Sequence, residues 1–213
     1  MLEHPITDGE PSMTSAAMSE VTELTPELLI SAYAQGVFPM GVHGRIGWFS
    51  PDPRGILPLE TFHVSRTLAQ TERSGRFQVR VNTRFRDVML ACADRPDGTW
   101  ITTPIVDAYV RLHELGLAHS VEAWRHDQLV GGLYGVALGG AFFGESMFHR
   151  ERDASKVALV ALVETMRKRR FTLLDIQYTT PHLMRFGAIE IPREEYLKRL
   201  MTAIRREVRF TDA

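Results

Sequence analysis

The spacing of apolar positions along this chain shifts between a helical period near 3.6 and a strand period of 2, and the shifts mark out its elements. Thr25-Pro26-Glu27 reads as a helix start: Thr as N-cap, Pro at the first helical position, Glu at the positive end of the dipole. Leu28, Leu29, Ala32 and Tyr33 give that helix its apolar face, and Gly36 closes it. The period is then lost. Phe38-Pro39 leads into a Gly- and His-containing loop, and Trp48 to Gly55 is stiffened by two prolines. From His63 a regular texture returns. It predicts a helix over Ser65–Arg73, a strand over Phe77–Val81, a helix over Thr83–Ala93 and, after the loop Asp94–Trp100, a helix from Thr102-Thr103-Pro104 to Leu115. His119–Trp124, Gln128–Leu138 and Gly139–Phe148 read as an antiparallel meander. A helix over Ala154–Arg169, capped by Asp153 or Ser155, precedes a strand over Thr172–Ile176. A short helix from Thr180-Pro181, a strand-like Ala188–Ile191 and a last helix over Arg193–Ile204 complete the chain.

Strand, loop, helix, strand from Gly139 to Gln177 is a βαβ unit, with two parallel strands and a crossover helix. The expected fold class is α+β, a mixed sheet with helices on both faces, and the order of elements resembles the GNAT acyltransferase fold, in which two central parallel strands splay apart. Residues 1–23 are expected as a disordered acidic tail, 24–62 as a small N-terminal subdomain with little regular structure, and 63–213 as the GNAT-like catalytic domain.

Charge sharpens this only locally. The net charge is −1, but residues 1–27 carry six acids and no Lys or Arg, while residues 163–210 carry eleven bases against six acids. A basic C-terminal half is compatible with a polyanionic partner, and solvated helix faces account for it nearly as well. The one cysteine, Cys92, falls in an apolar helical pattern and fits a reducing cytosol. No apolar run approaches the ~20 residues of a membrane span, and the N-terminus lacks a signal-peptide pattern. A cytoplasmic protein, monomeric by default, is the expectation. The histidines show neither HxxxH nor HxH spacing, Ser146 lacks the GxSxG elbow, and there is no GxGxxG or Walker sequence. No metal or other cofactor is expected. The turn His149–Ser155 has no glycine, which argues against a backbone wrapped round the pyrophosphate of coenzyme A.

What remains is a set of polar groups in strands that should be buried. Glu145 interrupts an apolar run between Phe143 and Phe148, and Asp175 and Gln177, two apart, should share one face of the next strand. Buried carboxylates are costly unless paired or used. Three polar groups against a wall of Leu, Phe and Met would suit an apolar substrate with a polar reacting end. Trp48 and Trp100, both read as lying in loops, serve as lids on a core more often than as stacking platforms for a nucleobase.

Taken together, LLISAYAQGVFP, WFSPDPRGILPLE, HVSRT, GTWIT, VDAYVRLHELGLAHSVEAW, LVGGLYGVALGGAFFGESMFHR, DASKVAL, LLDIQY and GAIEIPREEYL resemble the leucyl/phenylalanyl-tRNA–protein transferase family from Leu28 to about Leu197. Two departures stand out: the family's Gly-rich segment before the first helix is absent, and Met40 follows Phe38-Pro39 where Trp is common. The resemblance implies transfer of Leu, Phe or Met from aminoacyl-tRNA to the α-amine of proteins that begin with Arg or Lys, which marks them for N-end-rule degradation. It implies Asp175 and Gln177 as the catalytic pair, with Asp175 orienting Gln177 or relaying the proton, and Glu145 facing the cationic acceptor. It leaves open whether a protein group or the tRNA's ribose hydroxyl takes the amine's proton. It also implies a donor side-chain pocket of Leu133, Phe142, Met147, Leu159, Leu162 and Leu174, with Trp48 and Trp100 flanking the terminal adenosine. Arg54, Arg66, Arg73, Arg76 and Arg80 are candidates for tRNA phosphates, though any of them could be an ordinary surface Arg. The alternatives are another GNAT-like transferase that uses aminoacyl-tRNA, as in cell-wall bridge synthesis, and a catalytically silent tRNA- or degron-binding module.

Overall fold

The computed structural model describes residues 23–212, so all but the end of the acidic tail lies outside the described residues. Helix α1 (Pro26–Ala34) begins as its sequence requires, with Thr25 Oγ1 accepting from Leu28 N. The segment that lost its period is more ordered than expected. It forms a hairpin, β1 (Phe38–Val42) with β2 (Arg45–Phe49), then β3 (Arg54–Ile56). Pro39, Gly41 and Gly47 hide the alternation, and tertiary contact supplies what propensity does not: Gly41 N donates to Trp100 O at 3.0 Å. Trp48 therefore sits on a strand, and β3 belongs to the main sheet.

The remaining elements are α2 (Arg66–Arg73), β4 (Gln78–Val81), α3 (Phe85–Ala93), α4 (Thr103–Glu114), β5 (Ala118–Arg125), β6 (Gln128–Leu138), β7 (Ala141–His149), α5 (Ala154–Lys168), β8 (Leu173–Gln177), α6 (Pro181–Met184), β9 (Ile189–Ile191) and α7 (Arg193–Ile204). The main sheet runs β4-β5-β6-β7-β8-β3-β9. All its pairings are antiparallel except β7 with β8, the pair joined by the crossover helix α5. Alternate side chains of the strands feed two cores. One lies under α2 and α5, the other under α1, α3, α4 and α7. A mixed sheet, helices on both faces and one parallel pair make the GNAT-like arrangement expected from the element order. No helix among the described residues is long and apolar enough to cross a membrane.

Two irregularities in this sheet matter for the site. In β7, Tyr134 of β6 faces Ser146 while Gly135 faces Gly144, so Glu145 is the extra, unopposed residue of a β-bulge. In β8, Gly55 of β3 faces Gln177 while Ile56 faces Asp175, so Ile176 is skipped in the same way. Gly135 is held at the first bulge by crowding, because a Cβ there would run into the Phe143 carbonyl oxygen and the Phe142 ring. Gly135→Ala is expected to destabilise the fold by about 1–3 kcal/mol through overpacking, read as a lowered Tm.

Candidate active site

β7 and β8 pair only over Ala141–Phe143 with Leu173–Asp175. Past that point the strands part, and the bulges at Glu145 and Ile176 flank the opening. Gln177 ends β8 in the left-handed region, at φ 57°. The strict alternation that would put Asp175 and Gln177 on one face is broken there. With the Gln177 amide nitrogen turned toward the carbonyls around it, it donates to Gly144 O at 2.9 Å and to Ile176 O at 3.1 Å. Its side chain thus spans the parting strands.

Asp175 is fully buried, and both its oxygens are occupied. Oδ1 accepts from Arg54 Nε and from the Gln177 backbone N–H, both at 2.9 Å; Oδ2 accepts from an Arg54 terminal nitrogen and from Tyr196 OH, both at 2.7 Å. Arg54, expected to meet tRNA phosphates, is itself fully buried. It also donates to Gly36 O, and its guanidinium lies 4.4 Å from the Tyr196 ring centre and 4.9 Å from that of Phe38. Burial pulls the guanidinium pKa down, but the Asp175 carboxylate more than offsets it and the net shift is upward. The phosphate expectation for Arg54 is corrected: its donors face protein, because an unpaired carboxylate at Asp175 would be far costlier. Asp175 has no free lone pair for a proton relay. What it does is fix the backbone turn that presents Gln177.

Glu145 is 2% exposed and points into the tyrosine-rich core of the other face. Tyr33 OH donates to its Oε1 at 2.7 Å, Tyr109 OH reaches Oε2 at 3.5 Å, and the two hydroxyls bond one another. Burial pushes its carboxyl up to about 8; the Tyr33 hydrogen bond opposes the rise and the nearby Asp175 carboxylate adds to it. Glu145 is therefore protonated in the free protein at neutral pH. The folded state holds a proton that the unfolded chain releases near 4.5, so unfolding free energy should fall as pH rises from about 4.5 to about 8. Glu145→Gln should flatten that limb relative to the native chain in urea titrations at stepped pH. An unchanged slope would place the proton elsewhere.

Leu133, Phe142, Met147, Leu159, Leu162 and Leu174 are each at most 3% exposed and share the core under α5. The structure thus separates what the sequence reading had put together: carboxylates and tyrosines on one face, the apolar group on the other, with Gln177 at the divide. Trp48 and Trp100 are half-buried against the tyrosine-side core, and the Gly41–Trp100 hydrogen bond ties the loop of one to the hairpin of the other. Arg66 and Arg73 are exposed on α2. Arg76 pairs with Glu151 and Arg80 with Asp127, Arg80 on edge strand β4, three strand spacings or ~14 Å from β7. Among the described residues no group of three or more His, Cys, Asp or Glu side chains could hold a metal ion.

The tyrosine partners Tyr109 and Tyr196 were missed by sequence reasoning, being indistinguishable from apolar helix positions until their hydroxyls find carboxylates. Glu122 was missed too. It is fully buried, caps the start of α3 through Thr83 N and Arg84 N, and takes further bonds from Thr83 Oγ1, Ser120 Oγ and Trp124 Nε1.

The family model described as leucyl/phenylalanyl-tRNA protein transferase matches residues 56–201, and that for the family's N-terminal domain matches residues 22–52. The chain belongs to the leucyl/phenylalanyl-tRNA protein transferase family. A curated member from Herpetosiphon aurantiacus is 57% identical over 182 residues, covering 85% of this chain and 95% of its own. Another, from Paramagnetospirillum magneticum, is 56% identical over 188 residues, covering 85% and 90%. Likeness to solved structures is more distant. L-PGS from Bacillus licheniformis aligns with TM-score 0.43 and 13% identity over 74% of this chain and 52% of its own. A GCN5-related N-acetyltransferase-like protein from Streptococcus suis aligns with 0.37 and 12%, over 78% and 63%.

Proposed function

We propose that the parting of β7 and β8 is where an aminoacyl ester of tRNA meets the α-amine of a protein. Family membership makes the chain an aminoacyltransferase acting between aminoacyl-tRNA and protein. The finer reading is that it moves Leu, Phe or Met onto proteins that begin with Arg or Lys, as a mark for degradation. The observation that carries it is the Gln177 side chain spanning the splay, with a buried carboxylate on one side and an apolar core on the other.

The chemistry fits that layout. The ester is already activated, so aminolysis needs no nucleotide. The amine attacks the carbonyl carbon, its proton must leave, and a ribose hydroxyl departs as the tetrahedral oxyanion collapses. Gln177 Oε1 can accept from the attacking amine while its nitrogen stays anchored on Gly144 O. The donor's side chain would enter the apolar layer under α5. Glu145, neutral when the site is empty, would ionise as a cation arrives, since an opposite charge stabilises the carboxylate. Trp48 and Trp100 remain the proposed flank for the terminal adenosine, each stacked base contributing ~1–3 kcal/mol.

The test offers radiolabelled Leu-tRNA or Phe-tRNA with a peptide bearing N-terminal Arg, beside the same peptide acetylated. Label should enter the free peptide and spare the acetylated one. Absence of label from both would sink the reading.

A further inference from the structure

The splay opens toward the C-terminal ends of β7 and β8, and a cleft of about 540 Å³ lies there, between the first turn of α5 and α6. That volume is in the range of ligand-binding sites and exceeds what one small anion needs. Its walls gather Arg150, Arg152, Lys156 and Arg185 around one carboxylate, Asp153. Asp153 is engaged by Lys156 at 2.7 Å and Arg152 at 3.6 Å, which leaves a surplus of positive charge facing the cleft. Arg185 is exposed and makes no ion pair among the described residues.

Neutral donors point the same way. Ser155 lines the cleft and is only 3% exposed, and the buried Nε2 of His182, which also lines it, has no hydrogen-bond partner among the described residues. Asp153, the N-cap of α5, makes no side-chain cap bond; Ala154 N donates to Glu151 O, and the N–H groups of Ser155 and Lys156 stay available to an acceptor from outside. Cations, a hydroxyl and unpaired N–H groups facing one cleft form a site for a tetrahedral oxyanion. The glycine-free turn His149–Ser155 does not wrap an anion with backbone. It surrounds the space with side chains, and Asp153 takes the positive φ of 69° that a glycine would have supplied.

We propose that this cleft holds a backbone phosphate of the donor tRNA's single-stranded 3′ end. This deepens the function proposed above and rests on it. Of the two substrates, the acceptor carries its charge as a cation at its N-terminus and is repelled by such a cleft, whereas the donor is a polyanion. Position agrees with charge. Thr180 lines the cleft three residues after Gln177, so the chain's own reach holds the two within ~10 Å. A phosphate seated there would register the terminal ribose on Gln177 without reading sequence, the usual part of phosphate contacts.

The decisive experiment compares native full-length protein with Lys156→Ala/Arg185→Ala, and with Lys156→Gln/Arg185→Gln in case the first variant folds poorly. Each is given Phe-tRNA, or the phosphate-free donor in which Phe is esterified to adenosine. The KM for Phe-tRNA should rise about tenfold, with much smaller change for the adenosine ester and for the Arg-peptide. For uncharged tRNA, the slope of log affinity against log salt should flatten by ~0.7 for each phosphate that is no longer neutralised. Equal losses on both donors, a rise confined to the peptide KM, or an unchanged salt slope would each overturn the proposal; the peptide outcome would reassign the cleft to a carboxylate of the acceptor. Should native protein transfer from neither donor, the functional reading fails, while the salt dependence of tRNA binding still decides the cleft.

Discussion

Arg54→Ala is expected to lower the unfolding free energy by about 3–5 kcal/mol, because it leaves a fully buried carboxylate without its partner. The guanidinium joins three elements at once. It closes the end of α1 through Gly36 O, pairs with both oxygens of Asp175 on β8, and lies against the Tyr196 ring of α7. Lys cannot reproduce that fork, so Arg54→Lys should recover little. The double variant Arg54→Met/Asp175→Asn removes both charges; the Asn oxygen keeps an acceptor for the Gln177 N–H, and its NH2 can donate to Tyr196 OH, which turns from donor to acceptor. It should be clearly more stable than Arg54→Ala. Urea midpoints of the native chain, the single and the double variant decide the matter. Additive losses, or a single variant as stable as the native chain, would return Arg54 to the surface role its sequence context invites. An Arg that met only a surface phosphate could be removed without touching stability, and its removal would change only the salt dependence of tRNA binding.

That residue shows where the sequence stops being informative. Arg54 stands among prolines in a polar stretch, and an Arg is rarely buried unless paired. Its partner lies 121 positions away, so nothing local reveals the pair. The bulges that expose Glu145 and skip Ile176 are equally hidden, since an extra residue leaves no mark on a hydrophobic period. Helices α1 to α5 and the meander were legible because amphipathic spacing and Thr or Pro starts are local. Hairpin β1–β2 was not, because docking against the Trp100 loop forms it. Glu145 was legible as a carboxylate in an apolar run, yet Glu122 carries a similar signal and differs only in company. Five donors saturate Glu122, while hydroxyls alone attend Glu145 and burial keeps it protonated. Only the structure distinguishes the cap from the candidate site. Asp175 and Gln177 were read as one catalytic pair. Geometry divides their labour, the acid fixing the turn and the amide spanning the opening.

Gln177→Gly is expected to lower kcat/KM for transfer to an Arg-peptide by about 10²–10³, the range seen when one preorganised transition-state hydrogen bond is lost. Glycine is the informative replacement. Gln177 sits at φ 57°, a conformation that costs any residue with a Cβ about 1–2 kcal/mol, so Gln already carries that strain, Ala would keep it and Gly relieves it. Gly keeps the turn, and with it the Gln177 N–H to Asp175 bond, and removes only the amide. The loss should therefore appear in kcat, with Tm close to native and tRNA affinity within about threefold, since the chemistry and not the docking is disturbed. Gln177→Asn tolerates the left-handed backbone but is one methylene short of Gly144 O, so it should retain stability and still lose most of the rate. A Gly variant with native kcat would remove the side chain from the reaction. A loss confined to tRNA affinity would move Gln177 from the reacting amine to donor binding, and the splay between β7 and β8 would then need another group to accept the attacking nucleophile.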